Sequence, residues 1–151
     1  MENKFMEVAL CEAQAAYKKG EVPVGAAIFS DGKLISSAHN EAIEKNNPCA
    51  HAEILAIERA FEITGKYRLD DCEMFVTLEP CAMCTGAIAL SRIKRVYFGA
   101  YDKELGALGG KIDISSDIKM KTEVYGGICE KDCSEILKEF FREICKKSEN
   151  Y

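Results

Sequence analysis

Tryptophan is absent from this 151-residue chain, and histidine occurs only at positions 39 and 51. No run of about 18 apolar residues exists, so no membrane span is expected. Positive charge is not in excess: 20 Lys and Arg stand against 25 Asp and Glu, a net charge of −5. That balance argues against coating nucleic acid by bulk charge and leaves room for a local basic patch. Proline is scarce, at positions 23, 48 and 80, each at the expected start of an element, and none demands a kink inside one. Repeats and low-complexity linkers are lacking, and the ordinary globular composition excludes disorder, collagen and coiled coil as the main description. No apolar stretch follows Met1-Glu2-Asn3-Lys4-Phe5, so no secretory signal is read there and a cytoplasmic location is expected.

What is present is an ordinary globular balance, 48% hydrophobic and 30% charged. The length suits one domain over residues 1–151 that buries its own core. Eight cysteines stand at 11, 49, 72, 81, 84, 129, 133 and 145. In a reducing compartment they read as thiols or metal ligands rather than a disulfide framework.

Apolar spacing predicts a helix over 3–19, with Met6, Leu10, Ala13 and Tyr17 on one face. Residues 22–29 predict a strand, Asp31-Gly32 a hairpin turn, and 34–38 the returning strand. Asn46-Asn47-Pro48 opens a helix over about 50–63, with Ile54, Ile57 and Phe61 inward and Gly65 closing it. A strand over 73–78 leads to a helix opened by Pro80 and running to about Leu90. A strand over 95–100, a loop over 101–121 and a short strand over 122–125 follow. The last helix, 132–147, carries Ile136, Leu137, Phe140, Phe141 and Ile144 as its stripe. This order predicts the α/β class: three layers, α/β/α, around a mixed five-stranded sheet.

Chemistry concentrates at two helix starts. His51-Ala52-Glu53 opens one and Pro80-Cys81-Ala82-Met83-Cys84 the next. A helix N-terminus lowers a thiol pKa, which suits Cys81 and Cys84 as thiolate ligands. With His51 they make three protein ligands, the pattern that leaves zinc a fourth position for water. Glu53, two residues from His51, lies roughly 200° away on a regular helix. Both reach one site only if that site sits over the first turn. Glu53 is then left as a general base rather than a ligand.

His-x-Glu followed by Pro-Cys-x-x-Cys resembles the zinc-dependent nucleobase deaminase pattern. Further matches are Glu21-Val22-Pro23-Val24-Gly25-Ala26, Asn40, the run from Asn47 to Glu53, Tyr67-Arg68-Leu69 and the run from Val76 to Cys84. Ser91-Arg92-Ile93, Phe98-Gly99-Ala100, Asp102, Gly106-Ala107 and Phe140-Phe141-Arg142 extend the likeness over almost the whole chain. The chain is similar to the bacterial tRNA-specific adenosine deaminase family, within the cytidine and deoxycytidylate deaminase superfamily. The resemblance implies a cytidine-deaminase-like fold and conversion of a wobble adenosine in a tRNA anticodon to inosine, with release of ammonia. It implies one Zn²⁺ per subunit on His51, Cys81 and Cys84, Glu53 as proton shuttle, and a homodimer. It also implies that Asn40, Ala50, Asp102, Phe141 and Arg142 bind the anticodon stem-loop. Cys49, Tyr101 and the loop from Lys111 to Lys121 depart from the family pattern.

Plainer readings stand beside these. Cys-x-x-Cys after a strand also suits a redox motif, but no tryptophan stands beside the pair, and His51 and Glu53 would be idle. Cys49 as a fourth ligand would close the site as a structural zinc module. A free base or nucleotide (guanine, cytidine or deoxycytidylate) is the alternative substrate. His39 reads as a polar strand-end residue, and Cys11, Cys72, Cys129, Cys133 and Cys145 as small packing residues. Phe140 and Phe141 read by default as core, and Lys138, Arg142, Lys146 and Lys147 as a solvated face or an RNA patch.

Overall fold

The computed structural model describes residues 2–149. The chain runs α1 (Glu2–Lys18), β1 (Gly25–Ser30), β2 (Lys33–His39), α2 (Ala52–Thr64), β3 (Cys72–Leu78), α3 (Ala82–Leu90), β4 (Arg95–Ala100), β5 (Glu123–Tyr125) and α4 (Glu130–Glu149). Asp31 and Gly32 both take positive φ, 50° and 75°, the backbone that a two-residue hairpin needs. The sheet order is β2-β1-β3-β4-β5. β1 pairs antiparallel with both β2 and β3, whereas β3–β4 and β4–β5 are parallel. The expected mixed five-stranded sheet is therefore present.

Each sheet face has its own core, because alternate strand residues point to opposite sides. Met74, Val76 and Val96 pack with Leu55 and Ile57 of α2 and Ile88 of α3. Phe29, Phe75 and Tyr97 face the other way, against Met6 and Ala9 of α1 and Cys133 of α4. The rings of Phe29, Phe75, Tyr97 and Tyr125 form a row across four strands, the Phe75–Tyr97 pair stacked at 4.5 Å. Helices on both faces make the three layers.

Several expectations shift. β1 starts at Gly25 rather than 22, because Pro23 lacks an N–H and the Val24 N–H closes a tight turn onto the Val22 carbonyl at 2.8 Å. α2 starts at Ala52, because the chain turns at 42–46 and again at 48–49 before His51 caps the helix. Pro80 lies outside α3, whose N-cap is Cys81. The prolines thus precede elements rather than occupy their first positions. Leu10, Tyr17, Ile54 and Phe61 are only partly buried, and Ala9, Ala16, Leu55 and Ala56 take their expected places in the core. In α4 only Cys133, Ile136 and Phe140 are buried, while Phe141 and Ile144 are exposed, contrary to the expected stripe. A helix of 20 residues spans about 30 Å, whereas a six-residue strand spans about 20 Å, so the end of α4 overhangs the sheet. Among the described residues, no helix is long and apolar enough to cross a membrane.

Candidate metal centre and pocket

The segment before β1, the ends of β2, β3 and β4 and the starts of α2 and α3 converge on one cavity of about 760 Å³. His51 caps α2 with extended backbone (φ −76°, ψ 152°), so its side chain leaves the helix path while Glu53 occupies the first turn. That removes the 200° conflict. Cys81 caps α3 in the same way (φ −73°, ψ 176°), and Cys84 follows in its first turn. His51 Nδ1 lies 3.7 Å from Cys81 Sγ and 3.5 Å from Cys84 Sγ. The three donor atoms lie within 4.8 Å of one another. One imidazole nitrogen and two sulfurs at two helix N-termini are a donor set suited to zinc, and three protein ligands leave one position open.

Electrostatics follow this crowding. A hydrogen bond from the Cys84 thiol, aided by His51, holds the Cys81 thiol down at about 4. The same contact and burial push Cys84 up. The hydrogen bond to Cys81 raises His51. Glu53 is 4% exposed and lines the cavity, and burial pushes its carboxyl up to about 7.

The remaining expected site residues divide. Asn40, Asp102 and Phe141 line the cavity. Asn40 holds two long contacts of 3.4 Å, one donated to the Val22 carbonyl and one accepted from the Ala42 N–H. Asp102 is committed locally, its Oδ1 accepting the Glu104 and Leu105 N–H groups at 3.0 and 3.1 Å. Phe141 is 49% exposed at the rim, with Tyr101 and Leu105 beside the same opening. Ala50 is buried and outside this cavity's lining: the two turns before α2 place it inside, where its carbonyl accepts the Glu41 N–H at 3.0 Å. Arg142, Lys138, Lys146 and Lys147 are exposed and outside the cavity lining.

Cys49 is exposed and stands outside the donor group, because the His51 N–H turns back to its carbonyl at 2.8 Å. Cys72 and Cys133 are buried as packing residues, whereas Cys11 and Cys145 are exposed and pack nothing. His39, Glu41 and Glu44 also cluster, but cations already occupy that cluster. Lys19 lies 3.3 Å from His39 Nε2 and 3.8 Å from Glu44, and Arg59 and Lys45 reach Glu41 at 3.4 and 3.5 Å. It is an ion-pair network.

Two buried acids beside the cavity escaped sequence reasoning. Glu21 and Glu79 are 1% and 2% exposed, and their carboxyls accept backbone N–H groups from loops beside the cavity. Their only local signal is an acid within or beside an apolar run, Val76-Thr77-Leu78-Glu79-Pro80 in the second case.

Comparison with known proteins agrees with this geometry. The model of the cytidine and deoxycytidylate deaminase zinc-binding region matches residues 1–100. The chain is 41% identical over 145 residues to the tRNA-specific adenosine deaminase of Bacillus subtilis, covering 95% of this chain and 90% of that one. A structure from a study of A-to-I editing by tRNA:A34 deaminases at the wobble position of transfer RNA superposes with a TM-score of 0.85 at 42% identity. It covers 89% of this chain and 99% of the other. A guanine deaminase from Bacillus subtilis superposes with a TM-score of 0.63 at 36% identity, covering 77% and 73%.

Proposed function

The chain belongs to the cytidine and deoxycytidylate deaminase family, which binds zinc and deaminates by hydrolysis, and from that premise we propose that its substrate is the wobble adenosine of a tRNA anticodon. The observation that carries the chemistry is the His51, Cys81 and Cys84 donor group with buried Glu53 beside it at one cavity. The likeness to tRNA-specific deaminases over nine-tenths of the chain carries the substrate.

His51, Cys81 and Cys84 would hold the zinc. When bound, zinc supplies the Lewis acidity that makes water a nucleophile near neutral pH. Glu53 contributes no ligand atom, so its carboxyl is available to move protons. In the net reaction water adds oxygen to C6 of adenine, the C6–N bond breaks, and ammonia leaves. Glu53 takes the proton that water gives up and delivers it toward N1 and the departing amino group. Asn40, held only by two long contacts, offers a donor and an acceptor to the base. Tyr101, Leu105 and Phe141 give the opening an apolar rim on which neighbouring bases can rest.

We also infer a homodimer. The outward side of α3 exposes Met83 at 38% and Leu90 at 84%, which a second subunit would cover. Light scattering at micromolar concentration should report two chains, and a monomer would refute the dimer.

The substrate is tested with an anticodon stem-loop carrying adenosine at the wobble position. Digestion and chromatography should reveal inosine together with ammonia. Free guanine and cytidine serve as controls, since one relative of solved structure is a guanine deaminase. Ammonia from guanine but not from the stem-loop would move the substrate to free bases.

A further inference from the structure

One wall of the cavity is Asp102, Lys103, Glu104 and Leu105, the first part of a loop that runs to residue 110, with Lys103, Glu104 and Leu105 exposed. A loop needs internal acceptors for the backbone N–H groups it buries. Here one side chain supplies three. Glu79 Oε1 accepts the Asp102 N–H at 3.1 Å, and Oε2 accepts the Leu108 and Gly110 N–H groups at 2.9 Å each. Glu79 precedes Pro80 and Cys81, so the same three-residue stretch carries a metal-donor side chain and the anchor of the loop. The Pro80 carbonyl adds a further tie, accepting the Ala107 N–H at 3.0 Å.

The loop is built around this carboxyl. A Cβ at Gly106 or Gly110 would run into both Glu79 and the Asp102 carbonyl. Neither glycine takes a positive φ, so close approach, not backbone freedom, is what each position demands.

We propose that Glu79 is a positioning residue for substrate: it fixes the 102–110 loop against the Cys81 segment and so sets the wall that meets the nucleotides around the target base. It acts through backbone amides and not on the reacting atoms. The proposal rests on the stem-loop reading above and names a determinant of how that substrate is held.

The test uses the full zinc-loaded chain. In Glu79→Gln one oxygen becomes an NH₂ group, so at least one loop N–H loses its acceptor and faces another donor. Hydrogen exchange at the Asp102, Leu108 and Gly110 amides should be slow in the parent and at least about tenfold faster in the variant, with α2 and β3 unchanged. KM for the stem-loop should rise about tenfold while kcat changes less than about threefold, since misplacing a binding wall costs about 10–10². Zinc content should not change. Should Glu79→Gln fail to fold, Gly110→Ala pushes the carboxyl from the other side and should give the same rise in KM. Unchanged KM and unchanged loop exchange would overturn the proposal, and so would a lower Tm with KM intact, which is a structural role only. A parent that makes no inosine from the stem-loop sinks the substrate reading instead. The exchange pattern then still decides whether Glu79 holds the loop.

Discussion

Replacing Glu53 by Gln separates the proton carrier from everything else at the site. Glu53 is 4% exposed in the first turn of α2, and it supplies none of the three donor atoms. Gln fills nearly the same volume, so packing is preserved. Two stability effects oppose each other. The variant loses the favourable placement of an acid at a helix N-terminus, about 0.3–1 kcal/mol. It also escapes the burial that pushes the Glu53 carboxyl up to about 7. The net should stay within about 1 kcal/mol, or about 2–4 °C in Tm for a chain this size. Catalysis has no such compensation. A general acid–base group contributes about 10²–10⁴ in rate, which is about 2.7–5.5 kcal/mol of barrier. Single-turnover deamination of the stem-loop should therefore slow by at least about 10²-fold at unchanged zinc content. Turnover within about tenfold of the parent, or loss of zinc, would refute the division between ligands and proton carrier.

Elemental analysis should find one zinc per chain, and a chelator should abolish activity and lower Tm, both restored by added zinc; activity that survives chelation contradicts the metal assignment. Iodoacetamide at about pH 8 should label exposed Cys11 and Cys145 and leave Cys72 and Cys133, which burial pushes up to about 11 and about 12, untouched. Because folding raises both thiols, their stabilising share is full below about pH 8.5 and is lost as pH climbs through those values. Tm should accordingly fall above about pH 9, and a flat profile there counts against the buried thiols. Changing Arg142, Lys146 and Lys147 together to Ala should weaken stem-loop binding and reduce the log–log salt slope by about 0.7–0.9 per lost phosphate contact. Identical binding at every salt concentration makes that helix end a solvated face.

The site was largely legible before the structure because its parts are local. His51 with Glu53, and Cys81 with Cys84, each lie within one turn of a helix start, and a strand separates the two pairs. Element order was legible for the same reason: hydrophobic period and turn residues are short-range signals. What escaped depends on distant groups. Glu79 is a buried acid only because Asp102, Leu108 and Gly110 bring their N–H groups to it, and nothing near Glu79 announces them. Phe141 carries the spacing of a core residue, but its neighbour Phe140 takes the buried side of α4, edge-on to Tyr17 at 5.6 Å, and the Phe141 ring is left at the rim. Ala50 sits in the matching motif yet turns inward, because chain turns at 42–46 and 48–49 precede α2.

For the RNA substrate proposed above, a chain of net charge −5 gains little from bulk attraction to phosphate. The cavity lining bears this out: Asp102 and Glu104 stand beside Lys103, so its mouth is no cationic funnel. Its exposed apolar side chains, Tyr101, Leu105 and Phe141, suit bases rather than backbone. Stacking on an aromatic ring is worth about 1–3 kcal/mol per base and ignores salt. The Tyr101 ring is also fixed from behind, edge-on to Phe98 at 5.0 Å, which limits the entropy lost when a base lands on it. A wobble base already sits unpaired in a loop, so no duplex need be opened to deliver it. On the proposed reading, affinity would come from splayed bases on a rigid rim, with a few phosphates met by the basic end of α4. The net charge of −5 disfavours binding to duplex nucleic acid at large and costs little at an anticodon. For the substrate proposed above, the charge that argued against a nucleic-acid coat would become a source of selectivity for one exposed loop.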